Sequence, residues 1–450
     1  MKKFDLIIIG SGPAASVVAS QVSKQDKNLA IVESRIFGGT CALRGCNPKK
    51  VYTNAGNLVD QARRMNGKSV NFENISINWQ QLHQFQRQFV EPVEQKSQKS
   101  FQKKGFETFL GIAAFTGPNE ITVDGQTLSA DKFFIATGAE PVKLPIDGFE
   151  HVIDSSEFLG LTDLPKRVCF IGGGYISMEY GCVALRFGSE VTVLQRGGRI
   201  LQPFDPDLVD QLSNSLKEDG MDLQVDSEVV AVEKIGDRFT VKYERQGQQE
   251  MLEADLVIHG AGRKPNIDSL DLAKANIDFD QDGILIDSRC QSISNPSVFA
   301  AGDCVASGKP MLTTTAVEEG RVVAQNVFED TPTAEPNYEH LANVAFTSPP
   351  IASIGMSEAE AKEQCKDLGI KYAQVNDWGS VRKTWQTCSA YKLLIDKSND
   401  KLLGAHLLGP KVDETINLFV LAMRFGIKAT DLKQTLYAFP TFGYNLRNMI

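Results

Sequence analysis

Two cysteines, Cys41 and Cys46, stand five residues apart in the run Gly38-Gly39-Thr40-Cys41-Ala42-Leu43-Arg44-Gly45-Cys46-Asn47-Pro48-Lys49-Lys50. Thiols this close can cycle between dithiol and disulfide, supply half of a zinc site, or pack as buried side chains. In an ideal helix, residues five apart rise ~7.5 Å and point to different faces. A disulfide needs Cα atoms within ~7 Å. Closing one here calls for a distorted backbone, for which Gly45 and Pro48 provide. A disulfide beside a helix start is also easier to reduce, because the helix dipole favours the thiolate. No second C-x-x-C or histidine pair is present to complete a zinc site.

Two glycine loops carry a second kind of chemistry. The segment Phe4–Ile9, apolar from Leu6 on, leads into Gly10-Ser11-Gly12-Pro13-Ala14-Ala15, a G-x-G-x-x-A pattern. Gly10 allows the tight turn, Gly12 lets backbone approach a pyrophosphate, and Ala15 permits close helix–strand packing. The pyrophosphate would rest on the helix N-terminus. The next strand, Leu29–Val32, ends in Glu33, 23 residues after Gly10, where a carboxylate can accept hydrogen bonds from a ribose diol. The alternative is a plain tight turn. The pattern returns at Val168–Ile171 and Gly172-Gly173-Gly174-Tyr175-Ile176-Ser177. Its second strand, Val191–Leu194, is followed by Gln195-Arg196-Gly197-Gly198-Arg199 and no acid. A missing carboxylate beside Arg196 and Arg199 favours a ribose 2′-phosphate, hence NADPH over NADH. Two solvated surface arginines are the alternative.

Each continuous apolar run reads as a strand buried on both faces of a parallel sheet. Leu161–Pro165 reads as a linker before the second unit, and Asp255–Gly260 as its closing strand. Beyond about residue 334 the texture changes. Ser357-Glu358-Ala359-Glu360 is a capping box, Lys392–Ile395 and Leu402–Leu408 form a hairpin around Asp396–Lys401, and Val412–Phe425 has helical period. The expected fold class is α/β, with two Rossmann-like dinucleotide-binding domains and a C-terminal α+β domain. At ~150 residues per domain, 450 residues allow about three.

Composition narrows the partners. The chain is 42% apolar and 23% charged, as ordinary globular chains are. A net charge of −9 with no basic block argues against nucleic acid or anionic membrane as the main partner. Leu6–Ile9 is far short of the ~20 residues of a membrane helix, and the glycine loop interrupts the signal-like Met-Lys-Lys start. Eight cysteines are too sparse for a secreted disulfide scaffold, so a cytoplasmic location is expected.

Gly-Gly-Thr-Cys-x4-Cys-x-Pro-Lys-Lys resembles the redox segment of the class I flavoprotein disulfide reductases, among them glutathione reductase, dihydrolipoamide dehydrogenase and mercuric reductase. The resemblance spans essentially the whole chain. Ala136-Thr137-Gly138 is similar to the end of the family's first FAD segment, and Ala261-Gly262-Arg263-Lys264-Pro265-Asn266 to its G-R-x-P-N turn. Val298-Phe299-Ala300-Ala301-Gly302-Asp303 is similar to its second FAD segment, whose Asp binds the flavin's ribityl side. Phe346-Thr347-Ser348-Pro349-Pro350 and Gly404-Ala405-His406 are similar to its dimerisation domain. The resemblance implies an FAD-binding domain at 1–148 and 266–333, an NADPH-binding domain at 149–265, and an interface domain at 334–450 that makes a homodimer. It implies that Gly10, Gly12, Pro13, Ala14, Glu33, Ser34, Gly39, Thr40, Ala113, Thr137, Gly138, Asp303 and Thr313 hold FAD. Gly172, Gly174, Tyr175, Ile176, Arg196, Arg199 and Gly262 would hold NADPH, with Tyr175 gating the nicotinamide pocket. Cys46 would lie against the flavin as the charge-transfer thiolate, and Cys41 would be the exposed interchange thiol. Lys49 and Glu179 match the family's ion pair beside the flavin. No metal site is implied.

The sequence departs from the family in one place that matters chemically. The family ends in His-Pro-Thr with a Glu five residues after the His, and that histidine protonates the leaving thiolate. Here Phe439 and Tyr444 occupy those positions. General acid help is worth ~10²–10⁴-fold, so ordinary alkyl disulfides are expected to be poor substrates. Tyr437 and Tyr444 are weak acids at neutral pH, and His406 is expected to pack in an interface strand. Ser20 and Gln21 stand where glutathione reductase has its glutathione-binding arginines, although Arg321 matches another, so glutathione disulfide is not the expected acceptor. Mercuric reductase also lacks the histidine but has a C-terminal cysteine pair, whereas Cys388 is the last cysteine here. The expected enzyme is an NADPH-dependent flavoprotein disulfide reductase whose acceptor is a low-pKa disulfide, a small redox protein or a thiolate-bound soft metal. The alternative is an NADPH oxidase or quinone-type diaphorase working from the flavin; a third is a redox-sensing flavoprotein with negligible turnover.

Overall fold

The computed structural model describes residues 2–68, 71, 75 and 77–450. The chain divides into two compact units. The first comprises residues 1–50, 84–142 and 262–338, and the second residues 51–83, 143–261 and 339–450.

The first unit is built on a seven-stranded sheet. Phe106–Leu110, Leu29–Glu33, Lys2–Ile9, Gln126–Ile135 and Val298–Ala300 run parallel. Glu120–Val123 and Ala113–Gly117 continue it antiparallel from Gln126–Ile135. The apolar runs are continuous because both faces are covered. Leu6 and Ile8 point into one core with Ala15, Val18 and Val22 of the helix Pro13–Val22. Ile7 and Ile9 point into another, with Phe115, Phe133 and Ile284. Side chains alternate faces along a strand, so one run serves two cores. In register, Ile9 is opposite both Val32 and Ile135. The ends of these three strands therefore lie side by side, where the first glycine loop begins.

The second unit repeats the device in a four-stranded parallel sheet, ordered Asp222–Gln224, Glu190–Leu194, Arg167–Ile171 and Leu256–His259. Val168 and Phe170 enter one core, and Cys169 and Ile171 another. The antiparallel strands Ser227–Ile235, Arg238–Arg245 and Gln248–Ala254 follow. The C-terminal part is a five-stranded antiparallel sheet of Ala342–Ala345, Ile351–Gly355, Lys401–Leu408, Ala390–Asp396 and Leu368–Gln374. The helix Val412–Arg424 joins its core through Ile416, Phe419 and Ala422. Ser357 caps Glu358–Gln364 in a capping box, as its sequence predicts. The hairpin, with its strands at Ala390–Asp396 and Lys401–Leu408, also forms. Two Rossmann-like sheets and an α+β C-terminal part give the α/β class expected.

Candidate active site

The first glycine loop is crowded where it turns and open where a ligand would lie. Gly10 has φ +104, and a Cβ there would fall 2.2 Å from the Ala136 carbonyl oxygen. Gly39 has φ +70, and its Cβ would fall 2.5 Å from the Gly12 Cα, so the cysteine segment rests directly on the loop. A Cβ at Gly12 would meet nothing within 4 Å. Gly12 caps the helix Pro13–Val22 without a side-chain bond, and Pro13 takes the position where an N–H is dispensable. The remaining first-turn N–H groups and the dipole suit an anion. Glu33 is buried and already oriented: its Oε2 accepts the Ser11 hydroxyl at 2.6 Å and its Oε1 the Arg35 N–H at 3.0 Å. Ser11 in turn accepts the Gly38 N–H at 2.9 Å. The open glycine edge, the helix end and the held carboxylate fit the adenosine diphosphate half of a dinucleotide.

The other FAD residues expected from the sequence lie in the same unit. Gly138 has φ +70, and its carbonyl accepts the Asn266 N–H at 2.9 Å. Asn266 Nδ2 donates to the Thr137 carbonyl at 3.4 Å. Asp303 follows the strand Val298–Ala300; burial pushes its carboxyl up, and Arg263 opposes that. Ala113 is buried at a strand start, while Ser34, Thr40 and Thr313 are exposed.

The backbone between the cysteines is broken, not helical throughout. A short helix, Gly39–Leu43, ends at Arg44, and Cys46 opens the 20-residue helix Cys46–Met65. Both sulfurs meet one hydroxyl: Thr313 Oγ1 lies 3.4 Å from Cys41 Sγ and 3.7 Å from Cys46 Sγ. The two thiols share a hydrogen bond. The hydrogen bond from Cys41, opposed by desolvation and aided by Thr313, Lys49 and Lys50, lowers Cys46 to about 5. The same bond, with burial, pushes Cys41 up. The shared hydrogen bond thus favours the thiolate on Cys46 and the proton on Cys41. Cys41 is half-buried within its short helix, and Cys46 is exposed at the start of the long one. Lys49 is buried one turn into the long helix.

The second loop has the same backbone. Gly172 has φ +92, and its Cβ would fall 2.6 Å from Ala261 Cα. Gly174 caps the helix Tyr175–Arg186 without a side-chain bond. Gln195 Oε1 accepts the Gly173 N–H at 2.7 Å, so the residue in the acid's place braces the loop. Arg196 is exposed and 3.7 Å from Glu228, and Arg199 donates to the Gln202 carbonyl at 3.4 Å. Tyr175 is 45% exposed at the helix start, with Ile176 half-buried beside it. Gly262 has φ +122. Glu179 is buried and accepts the Phe346 N–H at 3.0 Å.

Phe439 is 75% exposed, with its ring edge-on to Tyr444 at 4.9 Å. Burial pushes the Tyr437 phenol up, away from acid duty at neutral pH. His406 is buried in Lys401–Leu408, its Nε2 3.1 Å from the Met356 carbonyl oxygen, and burial lowers its pKa. Among the described residues no cluster of three or more His, Cys, Asp or Glu could hold a metal, and no helix is long and apolar enough to cross a membrane. The sequence reading did not assign Ser11, the brace at Gln195, or the hydroxyl shared by the two sulfurs. Only Ser11, between two loop glycines, carried a local signal.

Two family models match the chain. One, pyridine nucleotide-disulphide oxidoreductase, covers residues 4–320, and its dimerisation domain covers residues 341–450. A mercuric reductase of Staphylococcus aureus is 30% identical over 447 residues, covering 99% of this chain and 81% of the relative. A glutathione reductase of Burkholderia cepacia is 31% identical, covering 97% and 96%. A dihydrolipoyl dehydrogenase of Bacillus subtilis is 29% identical, covering 98% and 94%. Among solved structures, the Cu(II) complex of the HOCl-induced flavoprotein disulfide reductase RclA from Escherichia coli has a TM-score of 0.89 at 24% identity, covering 100% and 99%. At that identity the likeness is one of fold.

Proposed function

The chain belongs to the pyridine nucleotide-disulphide oxidoreductase family, and on that premise we propose that it oxidises NADPH and reduces, through Cys41 and Cys46, an acceptor that needs no proton donor. As a flavoprotein disulfide reductase it uses FAD and a pyridine nucleotide. The observation that carries the proposal is the coupled pair, with Cys46 lowered to about 5 at a helix N-terminus and Thr313 Oγ1 shared by both sulfurs.

Bound FAD supplies the two-electron link between nicotinamide and disulfide. The first loop, with Glu33, Thr137, Gly138 and Asp303, would hold it, in a domain formed by residues 1–148 and 266–333. Residues 149–265 would hold NADPH, with Tyr175 and Ile176 at the nicotinamide end and Arg196 and Arg199 toward the 2′-phosphate. The absent acid after Glu190–Leu194 supports NADPH. Residues 334–450 would make the homodimer, a reading supported by the matched dimerisation domain.

In the reduced pair, Cys41 gives its proton to the Cys46 thiolate across the hydrogen bond they share and attacks one sulfur of the acceptor disulfide. The acceptor's other sulfur leaves as thiolate. Cys46 then loses that proton to solvent, and its thiolate attacks Cys41, restoring the protein disulfide and releasing the second thiolate. Thr313 can donate its hydroxyl hydrogen to either sulfur while it is charged. Phe439 in place of a histidine leaves the departing thiolates unassisted. Aryl disulfides, whose thiolates leave at low pKa, suit that site. A soft metal ion held by thiolates also needs no proton, and the mercuric reductase relative favours it as a second reading.

The test is NADPH oxidation with a series of aryl and alkyl disulfides and a thiol-complexed soft metal, for the wild type and Cys41→Ser. Rates should rise steeply as the leaving thiol's pKa falls and vanish in Cys41→Ser. Rates indifferent to leaving-group pKa would overturn the acceptor class. Undiminished turnover in Cys41→Ser would mean direct reaction from the flavin, as in an oxidase or diaphorase.

A further inference from the structure

The helix Thr313–Asn326 carries a second polar residue whose place packing does not explain. Glu319 is 0% exposed, on a helix whose Ala316, Val322 and Val323 belong to an apolar core. A carboxylate taken out of water is costly unless its oxygens are hydrogen-bonded. Both are. Oε2 accepts the Gly302 N–H at 2.6 Å, and Oε1 accepts the Tyr338 hydroxyl at 2.8 Å. Packing alone would be served by an apolar side chain of similar volume, which often matches or exceeds the stability of a buried charge. What the carboxylate adds is a grip on one backbone group.

That group belongs to a turn with a ligand-facing neighbour. Gly302 has φ +79, and its Cβ would fall 3.3 Å from the Ala316 Cβ of the same helix. Asp303 comes next, half-buried, with Arg263 moderating the burial that pushes its carboxyl up. The residue after Glu319 makes another contact. A Cβ at Gly320 would fall 2.8 Å from the Ala14 carbonyl oxygen, so the helix lies against the first turn of Pro13–Val22. Within eight residues, 313 to 320, one helix touches both redox sulfurs, the Gly302–Asp303 turn and the helix at the first glycine loop.

We propose that Glu319 is a positioning residue for flavin binding, holding the Gly302–Asp303 turn so that Asp303 presents its carboxylate to the ribityl chain. The proposal rests on the reading of Asp303 given above, and not on the nucleotide preference or the acceptor. Glu319→Leu removes both acceptors and frees the turn. Glu319→Gln keeps a carbonyl for Gly302, while the Tyr338 hydroxyl can turn to accept from the amide.

The test is FAD affinity of the apoprotein, titrated by flavin fluorescence without nicotinamide or acceptor. Glu319→Leu should weaken FAD about tenfold or more, and Glu319→Gln by no more than about threefold. In the Asp303→Asn background the Glu319→Leu effect should shrink below about twofold, because the two act as one unit. Equal losses in both backgrounds would make Glu319 a residue of the fold only, and wild-type affinity in Glu319→Leu would also overturn the proposal. Unchanged affinity in Asp303→Asn alone counts against the assignment of Asp303. Loss in Asp303→Asn with none in Glu319→Leu overturns the Glu319 proposal by itself. Should Glu319→Leu not fold, Glu319→Met, which also removes both acceptors, decides in the two backgrounds: a loss confined to the Asp303 background supports the role, and equal losses or none overturn it.

Discussion

The two glycine loops share a backbone and differ at one side chain. Gly10 and Gly172 both turn with positive φ against the chain beside them, and Gly12 and Gly174 both cap a helix with no side-chain bond. After the second strand of each unit the first places Glu33, held by Ser11 and the Arg35 N–H. The second places Gln195, whose amide oxygen is spent on Gly173, followed by Arg196 near Glu228. On the proposed reading the backbone device answers a pyrophosphate, which every dinucleotide carries, and the side chain after the strand answers the ribose, where dinucleotides differ. A loop can therefore be kept while its nucleotide changes.

The harshest way to break the comparison is at its shared part. Gly10→Ala places a methyl 2.2 Å from a backbone oxygen at a left-handed φ, and FAD affinity should fall about a thousandfold. Purified protein without flavin absorbance would show it; near-stoichiometric flavin would contradict it. The next test is the part that differs. Arg196→Glu should reduce the ratio of kcat/KM for NADPH over NADH by about ten- to a hundredfold, and an unchanged ratio would remove Arg196 from the site.

On the proposed reading the first unit joins its loop to a redox pair, and pH sharpens that contrast. Cys46 is lowered to about 5, chiefly by the Cys41 hydrogen bond. A lowered pKa means the thiolate is present above that value and lost below it. In the two-electron-reduced enzyme, a Cys46-dependent long-wavelength absorbance should persist at neutral pH and fall about tenfold per pH unit below about 5. Loss centred near 8 would contradict the pairing. The smallest effect concerns the exposed carboxylate near Arg196. Removing its competition by Glu228→Gln should lower KM for NADPH about threefold and leave KM for NADH unchanged. Equal changes for both nucleotides would mean that Glu228 acts on folding and not on the phosphate.

What the sequence made legible follows from range. Leu6–Ile9 and Val168–Ile171 are uninterrupted because both faces are buried, and that can be read without knowing what covers them. Gly10, Gly12, Gly172 and Gly174 are local demands of a turn and a helix start. The Cys41–Cys46 spacing is local too, and Gly45 does mark the break between the two helices. The Thr313 hydroxyl between the sulfurs is different: it arrives from 267 and 272 positions away. Gln195 braces Gly173 only because the strand before it lies beside the strand before the loop. Glu319 meets Gly302 through the packing of a helix on a turn. Neither glutamine nor glutamate at those positions has a local pattern to betray it. Phe439 was legible only as a departure, because its meaning comes from the residue it replaces.

The contact between Gly39 and Gly12 has a consequence for how the protein could change over generations. A side chain at residue 39 has nowhere to go but into Gly12, so the start of the thiol segment and the floor of the nucleotide loop cannot vary separately. A lineage that improves one would shift the other at once, and a substitution that damages one would silence both. On the proposed reading, chemistry and cargo at this point form a single heritable unit. Adaptation is left to remoter positions, such as those around residues 196 and 439, where a side chain can be exchanged without moving a backbone.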